Sequence, residues 1–106
     1  MLALCPPASR VPYEVLIANG SGEAGSVFES GELPTAFFVL RSVIRRLRAV
    51  EGPAPWNAWL HVGRRDWHIE VVPRLTILAG LELGAGIFIN PLAPETAAER
   101  LRAASP

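Results

Sequence analysis

The sequence predicts one α+β domain in which a long helix covers one side of an antiparallel sheet. Two short runs rich in aromatic and β-branched residues flank a four-residue turn, which is the pattern of a β-hairpin. A longer segment before them has apolar residues at the three-and-four spacing of an amphipathic helix. The 106 residues are 50% hydrophobic, which is enough for the core of a single domain over residues 1–106.

The first part of the chain predicts an extended lead-in, a strand and a loop. Met1–Arg10 contains two adjacent prolines and is expected to be extended. Val11–Ala18 predicts a strand with Pro12 near its start, where a missing N–H is least unfavourable. Asn19–Gly25 is rich in glycine and serine and predicts a flexible loop. This loop matches neither GxGxxG nor GxxxxGK[ST], so it is not expected to bind phosphate.

The amphipathic segment predicts one long helix. It begins at Leu33 and ends near Glu51, with Gly52 as the stop signal and Ser30 or Thr35 as the cap. Its apolar positions are Leu33, Ala36, Phe37, Leu40, Val43, Ile44 and Leu47. Burial of side chains of this size stabilises a fold by about 1.5–3 kcal/mol each, so we expect this helix to be the main cover of the sheet.

The predicted hairpin joins Asn57–Val62 to Trp67–Val72 through residues 63–66. A turn that closes with Val62 opposite Trp67 also pairs His61 with His68, Leu60 with Ile69, and Trp59 with Glu70. Side chains alternate between the two faces of a strand, so these residues divide into two sets. The predicted core face holds Leu60, Val62, Trp67 and Ile69, and the predicted polar face holds Trp59, His61, His68 and Glu70.

The polar face is the candidate functional site. Its opposed Cβ atoms should lie roughly 4.5–5.5 Å apart. Two histidines and a carboxylate, here His61, His68 and Glu70, suit zinc, whose catalytic sites use such ligands with one open position. The same residues could instead hydrogen-bond to one another or to water on a half-buried sheet. In a third interpretation, His68 is a nucleophile that attacks phosphate and is oriented by Glu70 or Asp66.

The last third predicts a short apolar segment, a strand and a helix. Thr76–Gly80 continues the chain after the hairpin, and Ile87–Ile89 predicts a strand that ends at Asn90. Pro94 then opens a helix with the sequence PETAAERLRA, because proline and an early acidic residue suit the free N–H groups of a first turn.

Composition narrows the classes of partner. Ten basic and ten acidic residues cancel, so the charge predicts neither nucleic-acid binding nor an anionic membrane partner. The single cysteine, Cys5, cannot form an intrachain disulfide, which predicts a reducing cytoplasm. The sequence has no signal-peptide pattern at its start and no apolar run near the roughly 18 residues of a membrane span.

Four motifs resemble one protein family. They are ASR-x-P-[FY]-E over Ala8–Glu14, NxxLH over Asn57–His61, HWHIExxPR over Asp66–Arg74, and AGxELGxGxxINPxxPExAAxxLR over Ala79–Arg102. In this order, and over nearly the whole chain, they are similar to the C-terminal half of bacterial galactose-1-phosphate uridylyltransferase-like proteins, which belong to the histidine triad superfamily. The resemblance implies an antiparallel sheet with a long helix between its second and third strands.

The resemblance also implies roles for the polar face. In the family, the positions of His61, His68 and Glu70 bind a structural zinc or iron, with another ligand from upstream sequence. In the superfamily's triad register, Asp66, His68 and Glu70 occupy the three histidine positions, and His68 is the nucleophilic one. Two departures weaken phosphate binding: Asp66 replaces a histidine, and the NGSGEAG loop replaces a basic segment. The catalytic His-Pro-His segment of the family's other half does not occur in these residues.

Three functions therefore stay open. The first is a domain that contributes structure and substrate contacts beside a catalytic half, inactive alone, with Arg74, Asp66 and Trp59 contacting a nucleotide sugar or sugar phosphate. The second is a homodimeric nucleotide hydrolase or transferase with His68 as nucleophile. The third is a non-catalytic, metal-stabilised interaction module. A homo-oligomer, or pairing with a catalytic half, is expected because a lone half would expose a sheet edge or apolar surface.

Overall fold

A computed structural model describes residues 1–19, 31–63, 66–75 and 90–106 of the chain. The elements are β1 (Leu2–Leu4), β2 (Val15–Ala18), α1 (Leu33–Glu51), β3 (Trp56–Val62), β4 (Trp67–Pro73) and α2 (Pro94–Ala103). The strands form one antiparallel sheet in the order β1-β2-β4-β3. The predicted α+β class is confirmed. Neither helix of the described residues has the length and apolar character needed to cross a membrane.

The long helix α1 has the bounds that its apolar periodicity predicted. α1 ends at Gly52, whose φ of 77° is left-handed and whose N–H donates to the carbonyl of Arg48 at 2.9 Å. The predicted Thr35 cap is wrong, because Glu32 is the N-cap residue, no side chain caps the helix, and a proline occupies the first turn. The alternative cap, Ser30, lies outside the described residues.

The hairpin has the predicted register. Val62 pairs with Trp67, His61 with His68, Leu60 with Ile69, and Trp59 with Glu70. The main-chain N–H of Gly63 donates to the carbonyl of Asp66 at 2.8 Å, which closes the turn. Each strand is one residue longer than predicted, at Trp56 and at Pro73.

The first strand of the prediction is shorter than expected. Val11–Glu14 forms a turn in which the Glu14 N–H donates to the Val11 carbonyl at 3.3 Å and Tyr13 has a positive φ of 61°. Tyr13 is buried, and its hydroxyl donates to Glu51 at 2.6 Å, so a tertiary contact accompanies this unusual backbone. Strand β2 therefore begins at Val15, four residues later than predicted. The segment predicted as an extended lead-in contains the additional strand β1.

The core lies between one face of the sheet and the two helices. The turn before β2 and the strands β2 and β4 contribute Tyr13, Val15, Ile17, Trp67, Ile69 and Val71 to the core. The two helices contribute Ala36, Val43, Leu47, Ala97 and Leu101. Ile17 and Val71 are the largest side chains that are fully buried. They occupy the two central strands, β2 and β4.

The core does not extend across β3 as predicted. Leu60 and Val62 are 40% and 59% exposed, although they lie on the same face as buried Trp67 and Ile69. Within the described residues β3 is an edge strand, and of its residues only Ala58 packs against the core cluster. Phe37, predicted on the buried side of α1, is 55% exposed. The predicted strand Ile87–Ile89 and residues 20–25 and 76–80 lie outside the described residues.

Candidate functional site

Two histidines and a glutamate meet on the sheet face opposite the helices. The ring of His61 stacks on that of His68, with centroids 4.7 Å apart and planes inclined by 15°. His61 Nε2 lies 2.9 Å from Glu70 Oε2. One possible ligand atom from each residue lies within 4.8 Å of the others. The structure thus places together the three residues that the hairpin register predicted.

Local pairing explains this geometry. His61 and His68 are directly opposed across β3 and β4, and Glu70 follows His68 by two residues, on the same side of β4. The neighbouring strand places Ala18, a residue with a small side chain, opposite His68. His61 is about half exposed and Glu70 is largely covered. The cluster is therefore accessible from solvent but attached to a rigid sheet.

Glu70 is bonded to Arg10, which is in turn held by Glu14; both residues precede β2. The guanidinium of Arg10 donates from Nη2 to Glu70 Oε1, and the same nitrogen is 3.4 Å from Glu14 Oε1. The main-chain N–H of Arg10 donates to Glu14 Oε2 at 2.6 Å. Glu14 is only 5% exposed. Sequence reasoning assigned no site role to Arg10 and Glu14, although both belong to the ASR-x-P-[FY]-E motif and so could have been found.

The two carboxyl groups have opposite electrostatic environments. Burial raises the pKa of Glu14 above its usual range, and the neighbouring carboxylate of Glu70 raises it further, whereas Arg10 acts to lower it. Burial also acts to raise the pKa of Glu70, but its interactions with Glu14, Arg10 and His61 outweigh burial, so the pKa of Glu70 is lowered. Glu70 is therefore the member of the pair that ionises first, and its carboxylate faces His61.

The raised pKa of Glu14 predicts that the difference in stability between the wild type and Glu14→Gln changes with pH. A carboxyl whose pKa is higher in the folded than in the unfolded state stabilises the fold at low pH and loses that effect as pH rises through the folded pKa. We expect the free energy of unfolding of the wild type to fall, relative to Glu14→Gln, as pH rises from about 4.5 through the raised pKa of Glu14. Urea denaturation of both proteins at a series of pH values tests this, and parallel pH profiles would contradict it.

The three predicted substrate contacts differ in position. Trp59 pairs with Glu70 in the polar face and is 48% exposed, so its ring adjoins the cluster. Asp66 closes the hairpin turn, and its carboxylate lies so near Gly63 that a Cβ added there would be 2.2 Å from Oδ1. Arg74 is exposed and follows Glu70 by four residues, about 13 Å along a strand. Of the three, Trp59 is therefore the residue that pairs directly with a member of the cluster.

The cluster fits a divalent metal ion by its donor chemistry. Two imidazoles and one carboxylate are ligands that zinc and iron accept. Zinc bonds of about 2.1 Å would separate tetrahedral ligand atoms by roughly 3.4 Å, so donor atoms within 4.8 Å need only small side-chain rotations. Glu70 presents Oε2 to His61 while Oε1 is occupied by Arg10, which leaves one carboxylate oxygen for a metal.

A cavity of about 730 Å³ lies on the other side of the sheet, between the N-terminal segment and the helices. Its lining includes Cys5, Val15, Arg46 and Leu101, and none of the candidate site residues. Burial raises the pKa of the Cys5 thiol, so this cysteine is less nucleophilic than a free thiol. The cavity and the histidine cluster are therefore separate features.

Comparison with solved structures defines the class of fold. A GalT-like (galactose-1-phosphate uridylyltransferase-like) protein of Arabidopsis thaliana superposes with a TM-score of 0.84 and 22% identity, over 97% of this chain and 38% of that one. An ADP-glucose phosphorylase of the same plant, solved with bound ADP-glucose, superposes with a TM-score of 0.83 and 24% identity. This match covers 98% of this chain and 37% of that one. The domain therefore has the GalT-like form of the histidine triad fold.

Sequence comparison leads to a particular relative. ADP-glucose phosphorylase of Arabidopsis thaliana is 26% identical over 115 residues, which cover 98% of this chain and 33% of the relative. No protein-family model matches the sequence. The chain is thus similar, over nearly its whole length, to one part of a GalT-like ADP-glucose phosphorylase. It spans about a third of the length of the relatives it matches, and the resemblance predicted from the four motifs is confirmed.

Proposed function

We propose that this chain is a nucleotide-sugar-contacting domain of a GalT-like nucleotidyl-transfer protein. In this role the exposed polar face contacts a nucleoside diphosphate sugar, and His61, His68 and Glu70 bind zinc or iron. The observation that most supports the proposal is the convergence of these three residues beside Trp59, in a chain similar to an ADP-glucose phosphorylase. A metal bound there would link β3 to β4 and add positive charge to the face that meets an anionic ligand.

Two contacts favour this role over nucleophilic catalysis by His68. A nucleophilic histidine needs a partner that orients its ring. Among the described residues, Glu70 hydrogen-bonds to His61, whereas His68 is oriented by stacking on His61. Asp66, the other candidate orienting group, closes the turn with Gly63. These contacts support a role for His68 in metal binding and structure, with the chemical step performed by a catalytic half.

Trp59 provides the sharpest test, because the same strand contains a matched control. Trp59 and Trp56 are 48% and 40% exposed, but they are an odd number of residues apart and so lie on opposite faces of β3. An aromatic stacking contact contributes about 0.5–1.5 kcal/mol, or roughly a factor of two to ten in affinity. We expect Trp59→Ala to weaken ADP-glucose binding by up to about tenfold in isothermal titration calorimetry, and Trp56→Ala to leave it unchanged.

Other outcomes of that experiment are informative. Equal losses in the two variants, or no binding of ADP-glucose or UDP-glucose by the wild type, would reject the proposed function.

The isolated domain should not hydrolyse or transfer nucleotides. Turnover that is abolished in His68→Ala would instead support the alternative of a homodimeric hydrolase or transferase, for which the motivating observation is the middle triad position of His68.

We also propose that β3 forms an interface with a second domain, either another copy of the chain or a catalytic half. Leu60 and Val62 are exposed on one face of this strand and Trp59 on the other, and β3 is the last strand of the described sheet. Pairing along such an edge would satisfy its main-chain groups and cover its apolar side chains. Sedimentation equilibrium should show concentration-dependent dimers that Leu60→Lys weakens. A monomer at all concentrations would rule out the self-paired form.

A further inference from the structure

Arg10 and Glu14 are the residues outside the hairpin that determine where Glu70 points. Both lie in the turn before β2, and they are linked to each other before they reach the site. Glu14 Oε2 accepts the main-chain N–H of Arg10 at 2.6 Å, which leaves its other oxygen, Oε1, 3.4 Å from Arg10 Nη2. Glu14 is buried, whereas the side chain of Arg10 is about half exposed. The guanidinium of Arg10 therefore covers the buried carboxyl group of Glu14.

The position of Glu70 follows from these bonds. Arg10 Nη2 donates to Oε1, and Arg10 is itself bonded to Glu14 through its main-chain N–H and the same Nη2, so Glu70 is held from the side away from His61. Its remaining oxygen, Oε2, lies 2.9 Å from His61 Nε2. A glutamate side chain without such partners has three rotatable bonds and would lose substantial entropy when it is fixed. The contacts with Arg10 and Glu14 oppose that freedom before any ligand arrives.

We propose that Arg10 and Glu14 are positioning residues for Glu70, which hold its Oε2 toward His61 and thereby form the metal site in advance. The part of this proposal that concerns metal rests on the proposed function; the part that concerns the orientation of Glu70 does not. Groups that hydrogen-bond to a metal ligand typically contribute 10–100-fold to metal affinity. The proposal therefore assigns to the ASR-x-P-[FY]-E motif a role in the histidine cluster, although the motif lies some sixty residues earlier in the chain.

A pair of substitutions at Glu14 separates hydrogen bonding from charge. Glu14→Gln keeps a carbonyl oxygen for the Arg10 N–H and removes the charge, whereas Glu14→Leu keeps the approximate size of the side chain and removes both the acceptor and the charge. We expect Glu14→Leu to lower zinc affinity by at least tenfold in competition with a chromogenic chelator, and Glu14→Gln to stay within about threefold of wild type. Equal affinities for Glu14→Leu and wild type would overturn the proposal, as would an equal loss in both variants.

A readout without metal distinguishes failure of this inference from failure of the proposed function. Because an ionised Glu70 can only accept, its bond fixes the proton of a neutral His61 on Nε2. Long-range proton–nitrogen NMR spectra of the imidazoles should show this single tautomer in wild type and Glu14→Gln, and a mixture in Glu14→Leu. Arg10→Met, which changes a half-exposed side chain and so leaves the core intact, should also give a mixture.

The outcomes are then separable. If both Glu14→Leu and Arg10→Met keep the wild-type His61 spectrum, the positioning role is wrong, whatever metal the protein binds. If the spectra change as expected and the wild type binds neither zinc nor a nucleotide sugar, the orientation of Glu70 is as inferred and the proposed function is wrong. Far-UV circular dichroism of each variant confirms that the fold is retained during both measurements.

Discussion

Replacing His61 by alanine is expected to lower zinc affinity at least 100-fold, the largest effect we predict at the site. The substitution removes one of the three proposed ligands, and it also removes the group that Glu70 Oε2 faces and the ring on which His68 stacks. Loss of an outer partner of a metal ligand typically costs about 10–100-fold, and loss of a ligand itself should exceed that range. Elemental analysis and chelator competition on the purified protein provide the measurement.

Arg74→Gln is the matched control for that experiment. Arg74 lies just beyond the end of the strand that contains two of the proposed ligands and is exposed, but it is four residues from Glu70 and its N–H donates to the carbonyl of Pro55. We expect its zinc affinity to equal that of the wild type. Equal binding by wild type and His61→Ala would show that any metal is bound elsewhere. A loss in Arg74→Gln as large as in His61→Ala would point to general destabilisation.

Ile17→Ala is expected to lower the free energy of unfolding by about 2–5 kcal/mol, a large fraction of the roughly 5–15 kcal/mol of a typical domain. Ile17 is fully buried at the centre of the sheet, where β2 pairs with β4, so truncation leaves a cavity that neighbouring side chains cannot fill without strain. Urea or guanidinium denaturation followed by circular dichroism measures the loss.

Leu60→Ala is the contrasting variant in the same sheet. Leu60 is a similar side chain, but it is 40% exposed on an edge strand, so much less of its surface is removed from water. We expect a loss of about 1 kcal/mol or less. If Leu60→Ala were as destabilising as Ile17→Ala in the monomeric protein, the core would extend across β3. The alternation of residues predicted such a core, but Leu60 is exposed in the structure.

That comparison also explains what the sequence could predict about the fold. Helix α1 and the hairpin were predictable because each depends on local rules: a spacing of three and four residues for the helix, a period of two and a four-residue turn for the hairpin. Alternation tells which side chains share a face of β3, but not whether that strand is central or at an edge. The burial of Leu60 and Val62 depends on strand order, which the hairpin pattern does not contain.

The site was predictable to the same degree. The register placed His61, His68 and Glu70 together, because they lie on adjacent strands a few residues apart. The hydrogen bond between Arg10 and Glu70 joins residues sixty positions apart, so no local pattern could predict it. Similarly, the turn at Tyr13 interrupts the predicted strand and is accompanied by a hydrogen bond from its hydroxyl to Glu51, a contact between distant segments. Among the sequence observations, the ASR-x-P-[FY]-E motif contains Arg10 and Glu14, but sequence reasoning assigned neither residue a role at the site.

The most direct test of the central claim is an NMR titration of the zinc-loaded protein with ADP-glucose. If the exposed histidine face contacts the nucleotide sugar, chemical shifts of the Trp59 indole and of the Ala18 and Glu70 amides should change in proportion to saturation. Amides of Ser42 and Ala98, which line the cavity on the helical side, should remain unchanged. Shifts confined to the cavity residues, or no shifts at saturating ADP-glucose, would contradict the assignment of this face as the nucleotide-sugar site.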